Sequence, residues 1–232
     1  QLEGTEQILD IGCGDGRITA DISRFVPRGL VIGVDPSKAM LDWAVRQYNP
    51  LEYPNLSFQE GGFICPNLSD RFDLIVSSCA LQHCPNQISA FKNLAGLLKP
   101  NGKILILVPA LNNAAWKEAR KNIQTSVKWA SYWQKTPPVK VLTVDEYTQL
   151  LGEVGLFSEK VREVFSKDPF VDRREFLDFL LGTLTPVVPR EKASEFYDEL
   201  IDEYVRLLPE VMHSNGVIEA RFGRIEIEAI KK

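Results

Sequence analysis

The 232-residue sequence has no stretch near the roughly 18 consecutive apolar residues that a membrane-spanning helix requires. It has no secretory leader pattern either; it starts at Gln1 rather than methionine, as a chain trimmed at its N-terminus does. Basic residues are not in excess: 27 lysines and arginines stand against 31 acids, a net charge of −4, so the chain as a whole offers no footprint for a polyanion. The four cysteines, Cys13, Cys65, Cys79 and Cys84, form no C-x-x-C pair. That argues against a zinc site or a disulfide framework and fits the reduced thiols of a cytoplasmic protein, with no metal expected. Internal repeats and low-complexity tracts are missing too. What is present is a chain 44% hydrophobic and 25% charged, long enough for one sizeable core or a core with a cap.

Residues 8–19, ILDIGCGDGRIT, are the stretch around which the rest is organised. Ile8, Leu9 and Ile11 read as a strand, Gly12, Gly14 and Gly16 as a turn, and the pattern becomes helical at Arg17 and Ile18. Glycines at alternate positions permit positive φ and a close approach of backbone to ligand, and the helix start presents free N–H groups. Dinucleotide loops space their glycines G-x-G-x-x-G, whereas this one reads G-x-G-x-G, with Asp10 ahead of it and Asp15 inside it. Two carboxylates repel a pyrophosphate and suit a ligand that is cationic where it meets the loop. A tight turn of any α/β domain is the competing reading. Residues 29–35, GLVIGVD, read as a second buried strand ending at Asp35. There a carboxylate can accept the ribose hydroxyls of an adenosine ligand, or else cap a helix with Pro36 at its first position.

A third strand is expected over residues 55–60, followed by Gly61, Gly62 and Phe63. A fourth, FDLIVS, is apolar enough to be buried on both faces and leads into Ala80-Leu81-Gln82-His83-Cys84. A helix over residues 87–98 closes in LKPNG before a fifth strand at 103–109. Five strands with intervening helices predict an α/β fold with a doubly wound, mostly parallel sheet and ligands at the strand carboxyl ends.

The glycine stretch resembles the first motif, D-x-G-x-G-x-G, of the class I S-adenosylmethionine-dependent methyltransferases. Residues 80–84 resemble the ALHW or ALQW segment of the trans-aconitate and malonyl carrier-protein carboxyl methyltransferases, and KPNG resembles the KPGG before their fifth strand. The resemblance covers residues 8–109. It implies a seven-stranded Rossmann-like sheet and S-adenosylmethionine as cofactor, with S-adenosylhomocysteine as product. It further implies a cofactor site built from Asp10, Gly12, Cys13, Gly14, Gly16, Asp35, Pro36, Met40, Gly61, Gly62, Phe63, Ser77 and Ser78. Gln82 and His83 would face the transferring methyl, His83 standing where tryptophan is commoner; a surface or core histidine is the other reading. Gly62 occupies the place of the acid that usually accepts the adenine amino group, so that task passes to backbone near Gly62 and Phe63, or to Glu60 or Asp70.

Past the fifth strand the composition shifts. Residues 111–140 hold Lys117, Arg120, Lys121, Lys128, Lys135 and Lys140 against Glu118, a net +5 while the remainder is −9, together with Trp116, Trp129, Tyr132 and Trp133. The segment is either a solvated helical face with some buried rings or a lid at the strand ends. As a lid it would offer Trp129, Tyr132 and Trp133 as walls, with Lys128 or Lys135 and Arg173 or Arg174 as partners of a substrate carboxylate. Thr143-x-x-Glu146 is a capping box. A sixth strand near residues 161–165, amphipathic helices at 172–181 and 192–211, and a last strand at 217–230, antiparallel near the sheet's edge, complete the reading. The division expected is a cofactor core over 1–110, a helical and aromatic cap insertion over 111–142, core again over 143–166, cap again over 167–212, and the final strand over 213–232. The activity expected is direct in-line methylation of a carboxylate of a small or carrier-linked acid, with nucleic acid not expected as a partner. Two other readings stand beside it: N- or O-methylation of an amine or hydroxyl metabolite with His83 as base, and a non-catalytic cofactor-binding or partner subunit.

Overall fold

The structure is a computed structural model and describes residues 2–64, 68, 71–110, 113–133, 140–183 and 188–232. Its β-branched and apolar runs form β1 (Gln7–Ile11), β2 (Leu30–Asp35), β3 (Leu56–Glu60), β4 (Phe72–Ser78), β5 (Leu98–Ala110), β6 (Leu156–Phe170) and β7 (Ile218–Lys231). The helices are α1 (Arg17–Phe25), α2 (Lys38–Gln47), α3 (Gln87–Leu97), α4 (Ala114–Thr125), α5 (Ala130–Trp133), α6 (Val144–Glu153), α7 (Arg173–Thr183) and α8 (Arg190–Leu207). One sheet of seven strands runs in the order β3-β2-β1-β4-β5-β7-β6, and the pairings from β3 to β5 are parallel. The expected doubly wound α/β sheet is therefore present. In register Asp10 lies opposite Gly33 and Val76, and Asp35 opposite Glu60, so β1, β2, β3 and β4 end close together at their carboxyl sides.

Two elements differ from the sequence reading. The LKPNG segment does not end before β5 but belongs to it: Phe72 pairs with Leu98 and Leu74 with Lys103, so residues 99–102 loop out opposite Asp73. Lys99 Nζ reaches the Asp73 carboxylate at 2.8 Å, and Asn101 takes a φ of 62°. The last long helix stops at Leu207 rather than at residue 211, because Pro209 has no N–H to continue it and keeps Leu208 out of the helical region. The last strand is one place in from the edge, which β6 occupies. The capping box forms as read: Thr143 Oγ1 accepts from the Glu146 N–H at 3.2 Å and the Glu146 carboxylate accepts from the Thr143 N–H at 2.7 Å.

The chain divides into two compact units, the first comprising Gln1–Pro109, Lys140–Glu163 and Ile225–Lys232, the second Ala110–Val139 and Val164–Arg224. In the first, Ile8, Ala20, Val26, Val31 and Leu56 pack α1 against β1, β2 and β3. In the second, α8 buries Ala193, Phe196, Tyr197, Leu200, Ile201 and Tyr204 at helical spacing. Trp116 and Trp129 pack on that stripe, Trp116 edge-on to Tyr204 at 5.1 Å and Trp129 edge-on to Phe196 at 5.4 Å. Two cations of the 111–140 segment are paired within the same unit, Lys128 with Glu195 at 2.6 Å and also with Glu199, and Lys121 with Glu118, while the neutral amide of Asn122 donates to Glu203. Among the described residues no helix is long and apolar enough to cross a membrane.

Trp129 is 1% exposed and its indole Nε1 donates to Glu199 at 2.6 Å, so it is a core residue of the second unit. Trp129→Ala should cost about 3–5 kcal/mol of stability in urea or thermal unfolding. A loss below about 1 kcal/mol would show that the ring does not hold the unit together.

Candidate active site

Gly12, Gly14 and Gly16 all have positive φ, at 78°, 56° and 80°, but for different reasons. A Cβ on Gly12 would lie 2.2 Å from the Cβ of Ala80, and one on Gly16 would lie 2.6 Å from the Phe58 ring. Both glycines are demanded by packing. A Cβ on Gly14 would meet nothing within 4 Å, so this is where the loop leaves its backbone open. The Gly12 and Cys13 amides both donate to the Val34 carbonyl, at 2.7 and 3.1 Å, which bends the loop over the end of β2.

Asp35 closes the loop from the other side. Its Oδ2 accepts from the Gly14 N–H at 3.0 Å and its Oδ1 from the Ser37 N–H at 2.8 Å. Asp35 is not the cap of the following helix; Ser37 is, its hydroxyl accepting from the Met40 N–H. Pro36 and Met40 are exposed around that cap. Asp10 is 3% exposed and accepts from Thr19 Oγ1 at 2.6 Å. Burial, with Asp35 adding its charge and the Thr19 hydrogen bond opposing, raises its carboxyl to about 6. The Cys13 thiol is buried against Gly33 and pushed far above the ordinary thiol range, first by burial and then by Asp10 and Asp35. Cys13 therefore contributes backbone, not a nucleophile. Three carboxylates, Asp10, Asp15 and Asp35, thus surround a loop with one open backbone position. That donor set fits the sulfonium, ammonium and ribose diol of S-adenosylmethionine.

Ser77 is buried and its hydroxyl donates to the Ile11 carbonyl at 2.7 Å, so it ties β4 to β1 at the root of the loop. Ser78 is partly exposed beside Cys79. Gly61 donates to the Asp35 carbonyl at 3.1 Å, a Cβ on Gly62 would meet nothing within 4 Å, and the Phe63 carbonyl accepts from Asn93 at 3.0 Å. The turn after β3 thereby joins the turn after β2. Asp70 and Cys65 lie outside the described residues.

After β4 the chain turns sharply at Cys79, whose φ is 54°, into a short 3-10 turn over Leu81–His83. Gln82 is 6% exposed; its Nε2 donates to the Cys79 carbonyl at 2.5 Å and its Oε1 is buried without a partner. Its amide braces the turn. His83 is exposed, and no hydrogen bond or ion pair to another described side chain orients its ring. The expected acceptor residues belong to the second unit. Trp129 is in its core, and Tyr132 packs partly buried against it with Lys192 Nζ 5.5 Å over the ring. Arg173 is held by Asp198 at 2.8 Å and Asp202 at 2.7 Å, and exposed Arg174 stands 4.0 Å from Asp178. The cations expected to meet a substrate carboxylate, Lys128 and Arg173, therefore already have carboxylate partners, mostly from α8. The Trp133 side chain and Lys135 lie outside the described residues. Thr19, Ser37, Phe58 and Ala80 were missed by the sequence reading. Ser37 is a favoured cap type that local pattern can find, but the other three act through contacts between elements.

Gly14→Ala should leave thermal stability within about 1 kcal/mol and weaken S-adenosylhomocysteine binding in calorimetry, whereas Gly12→Ala should fail to fold. Asp35→Ala should weaken the same ligand by about 1.5–3 kcal/mol, and an unchanged Kd in both binding variants would remove the site from this loop. For Asp10, the folded carboxyl titrates near 6 and the free one at 3.8, so the folded chain holds the extra proton between them and stability falls as pH rises through that window. Asp10→Asn should then stabilise the chain by about 3 kcal/mol at pH 8 and by little at pH 4. Equal effects at both pH values would mean that the carboxylate carries no such burden.

A family model described as a methyltransferase domain matches residues 2–155. The trans-aconitate 2-methyltransferase of Deinococcus radiodurans is 38% identical over 157 residues, covering 64% of this chain and 57% of that protein. The juvenile hormone acid O-methyltransferase of Drosophila melanogaster is 27% identical over 213 residues, covering 86% of this chain and 71% of that protein. Among solved structures, the YcgJ protein of Bacillus subtilis has the same fold, with a TM-score of 0.68 at 20% identity, covering 100% of this chain and 94% of that one. The family match spans well over half of the sequence and includes every turn described above from Gly12 to Cys84, so the chain belongs to the methyltransferase domain family and is an S-adenosylmethionine-dependent methyltransferase.

Proposed function

We propose that the enzyme methylates a carboxylate oxygen of a small or carrier-linked acid by direct in-line transfer. When bound, S-adenosylmethionine supplies a methyl group activated on sulfur. Asp35 accepts the ribose hydroxyls, the open backbone at Gly14 admits the ligand, and the turn from Gly61 to Phe63 receives the adenine through its backbone. The carboxylates of Asp10 and Asp15 favour the cationic end of the ligand over its neutral product. Gln82 holds the turn after β4, and His83 stands exposed on it.

The observation that carries the carboxylate reading is the state of His83. A general base needs a proton acceptor held in line with the substrate, and effective ones are oriented by a further group. The exposed His83 ring has no such partner among the described residues. An ionised carboxylate is already a nucleophile at neutral pH and needs no base; an amine or a hydroxyl does. The names of the two relatives above, one for trans-aconitate and one for juvenile hormone acid, support the same substrate class.

A methyl-transfer assay against trans-aconitate, other di- and tricarboxylates, long-chain acids, amines and phenols tests this. At least one acid should be turned over, with kcat flat from about pH 6 to 9, and His83→Phe should keep kcat within about threefold. Turnover confined to amines or phenols, or a His83→Phe enzyme that binds both ligands yet loses nearly all activity, would assign His83 as base and overturn the carboxylate reading.

A further inference from the structure

The turn that carries Gln82 and His83 is joined to a distant part of the first unit by one buried side chain. Gln87, the first residue of α3, is 2% exposed. Its Nε2 donates to two main-chain carbonyls, that of Leu81 at 3.2 Å and that of Lys140 at 2.8 Å. The Lys140 amide in turn donates to the Gln82 carbonyl at 3.1 Å. Leu81 and Gln82 are thus linked from both sides to the residue at which the chain re-enters the first unit, 53 positions along from Gln87. Within the turn, His83 N–H donates to Ala80 and Cys84 N–H to Leu81, at 3.0 and 2.9 Å. A primary amide suits this position because it brings two hydrogens to two acceptors. An apolar residue of the same size would take this donor from both carbonyls, that of Leu81 being the buried one, at the cost of an unmet hydrogen bond.

We propose that Gln87 is a positioning residue of the transfer reaction. It fixes the turn over residues 79–84 against Lys140, and so sets where Gln82 and His83 stand relative to the methyl donor held at Gly14 and Asp35. The inference rests on the reading of that turn as the acceptor side of the site. Gln87 touches neither ligand; it acts through the two carbonyls. Ala80, within that turn, is fixed independently by its close approach to Gly12, where a Cβ would lie 2.2 Å from its own, so the cofactor loop keeps its place when Gln87 is changed.

The test uses the full chain with Gln87→Met, Gln87→Glu and a remote core variant, Val26→Ala, at the buried residue that follows the carboxyl end of α1. Amide hydrogen exchange is read at residues 82–84 and 140, S-adenosylhomocysteine affinity by calorimetry, and turnover with the best acid of the panel, trans-aconitate being the first tried. Gln87→Met should speed exchange at those amides at least tenfold, lower kcat at least tenfold and leave the Kd for S-adenosylhomocysteine within about twofold. Gln87→Glu should regain turnover as the pH falls, because only its protonated form has a hydrogen to donate. Val26→Ala should lower Tm without changing kcat, which separates positioning from a general loss of stability. A Gln87→Met enzyme with parental kcat, or parental exchange at residues 82–84 and 140, overturns the proposal. If the parent methylates no acid, the substrate reading fails by itself and the exchange measurement still decides whether Gln87 holds the turn.

Discussion

No side chain fits at Gly12. The loop after β1 and the turn after β4 meet there at backbone distance, with Ala80 filling the space that a Cβ would need. Everything chemical in the first unit hangs on that contact: it brings the open position at Gly14 and the turn carrying Gln82 and His83 to neighbouring strand ends. The parallel pairing of β4 with β1, closed by the Ser77 hydroxyl on the Ile11 carbonyl, keeps the two strands in the register that makes the contact possible. On the far side of the loop Gly16 meets Phe58 from β3 in the same way, so three strands are locked around one short turn.

The electrostatics of this turn run against stability. Asp10 is buried in the core beside a second carboxylate at Asp35, and a thiol at Cys13 is held neutral between them. An unliganded chain gains nothing from such a concentration of acid, and a cationic ligand relieves it. Carboxylates in the second unit behave differently. Glu195, Glu199, Asp198 and Asp202 of α8 are matched by Lys128 and Arg173, and the same helix buries an aromatic stripe. There charge serves to join α4, α5, α7 and α8 into one packed body. The acids around the glycine loop thus create an unmet potential, whereas those of α8 are matched by cations.

Fold and cofactor are shared by methyltransferases of many acceptors, so they do not choose the substrate. In the turn after β4, Gln82 is engaged with its own turn, and among the described residues no hydrogen bond or ion pair orients the His83 ring. The carboxylate acceptor proposed above rests on this arrangement.

The sequence alone determined the order of strands and helices in the first unit, the glycine turn, the acid at the end of β2 and the capping box at Thr143. These depend on residue periodicity and on backbone conformations that only certain residues adopt within a few positions. It also carried the family resemblance, which the methyltransferase domain match supports. Only the tertiary structure decided which glycine is open, because Gly12, Gly14 and Gly16 look alike in sequence and differ solely in what stands opposite them. It also decided that Lys128 in the basic stretch is paired rather than free, since its partners lie some 70 positions away on α8. Charge read along the chain counts each cation once; whether it is available to a ligand is settled by the acid that folding brings beside it.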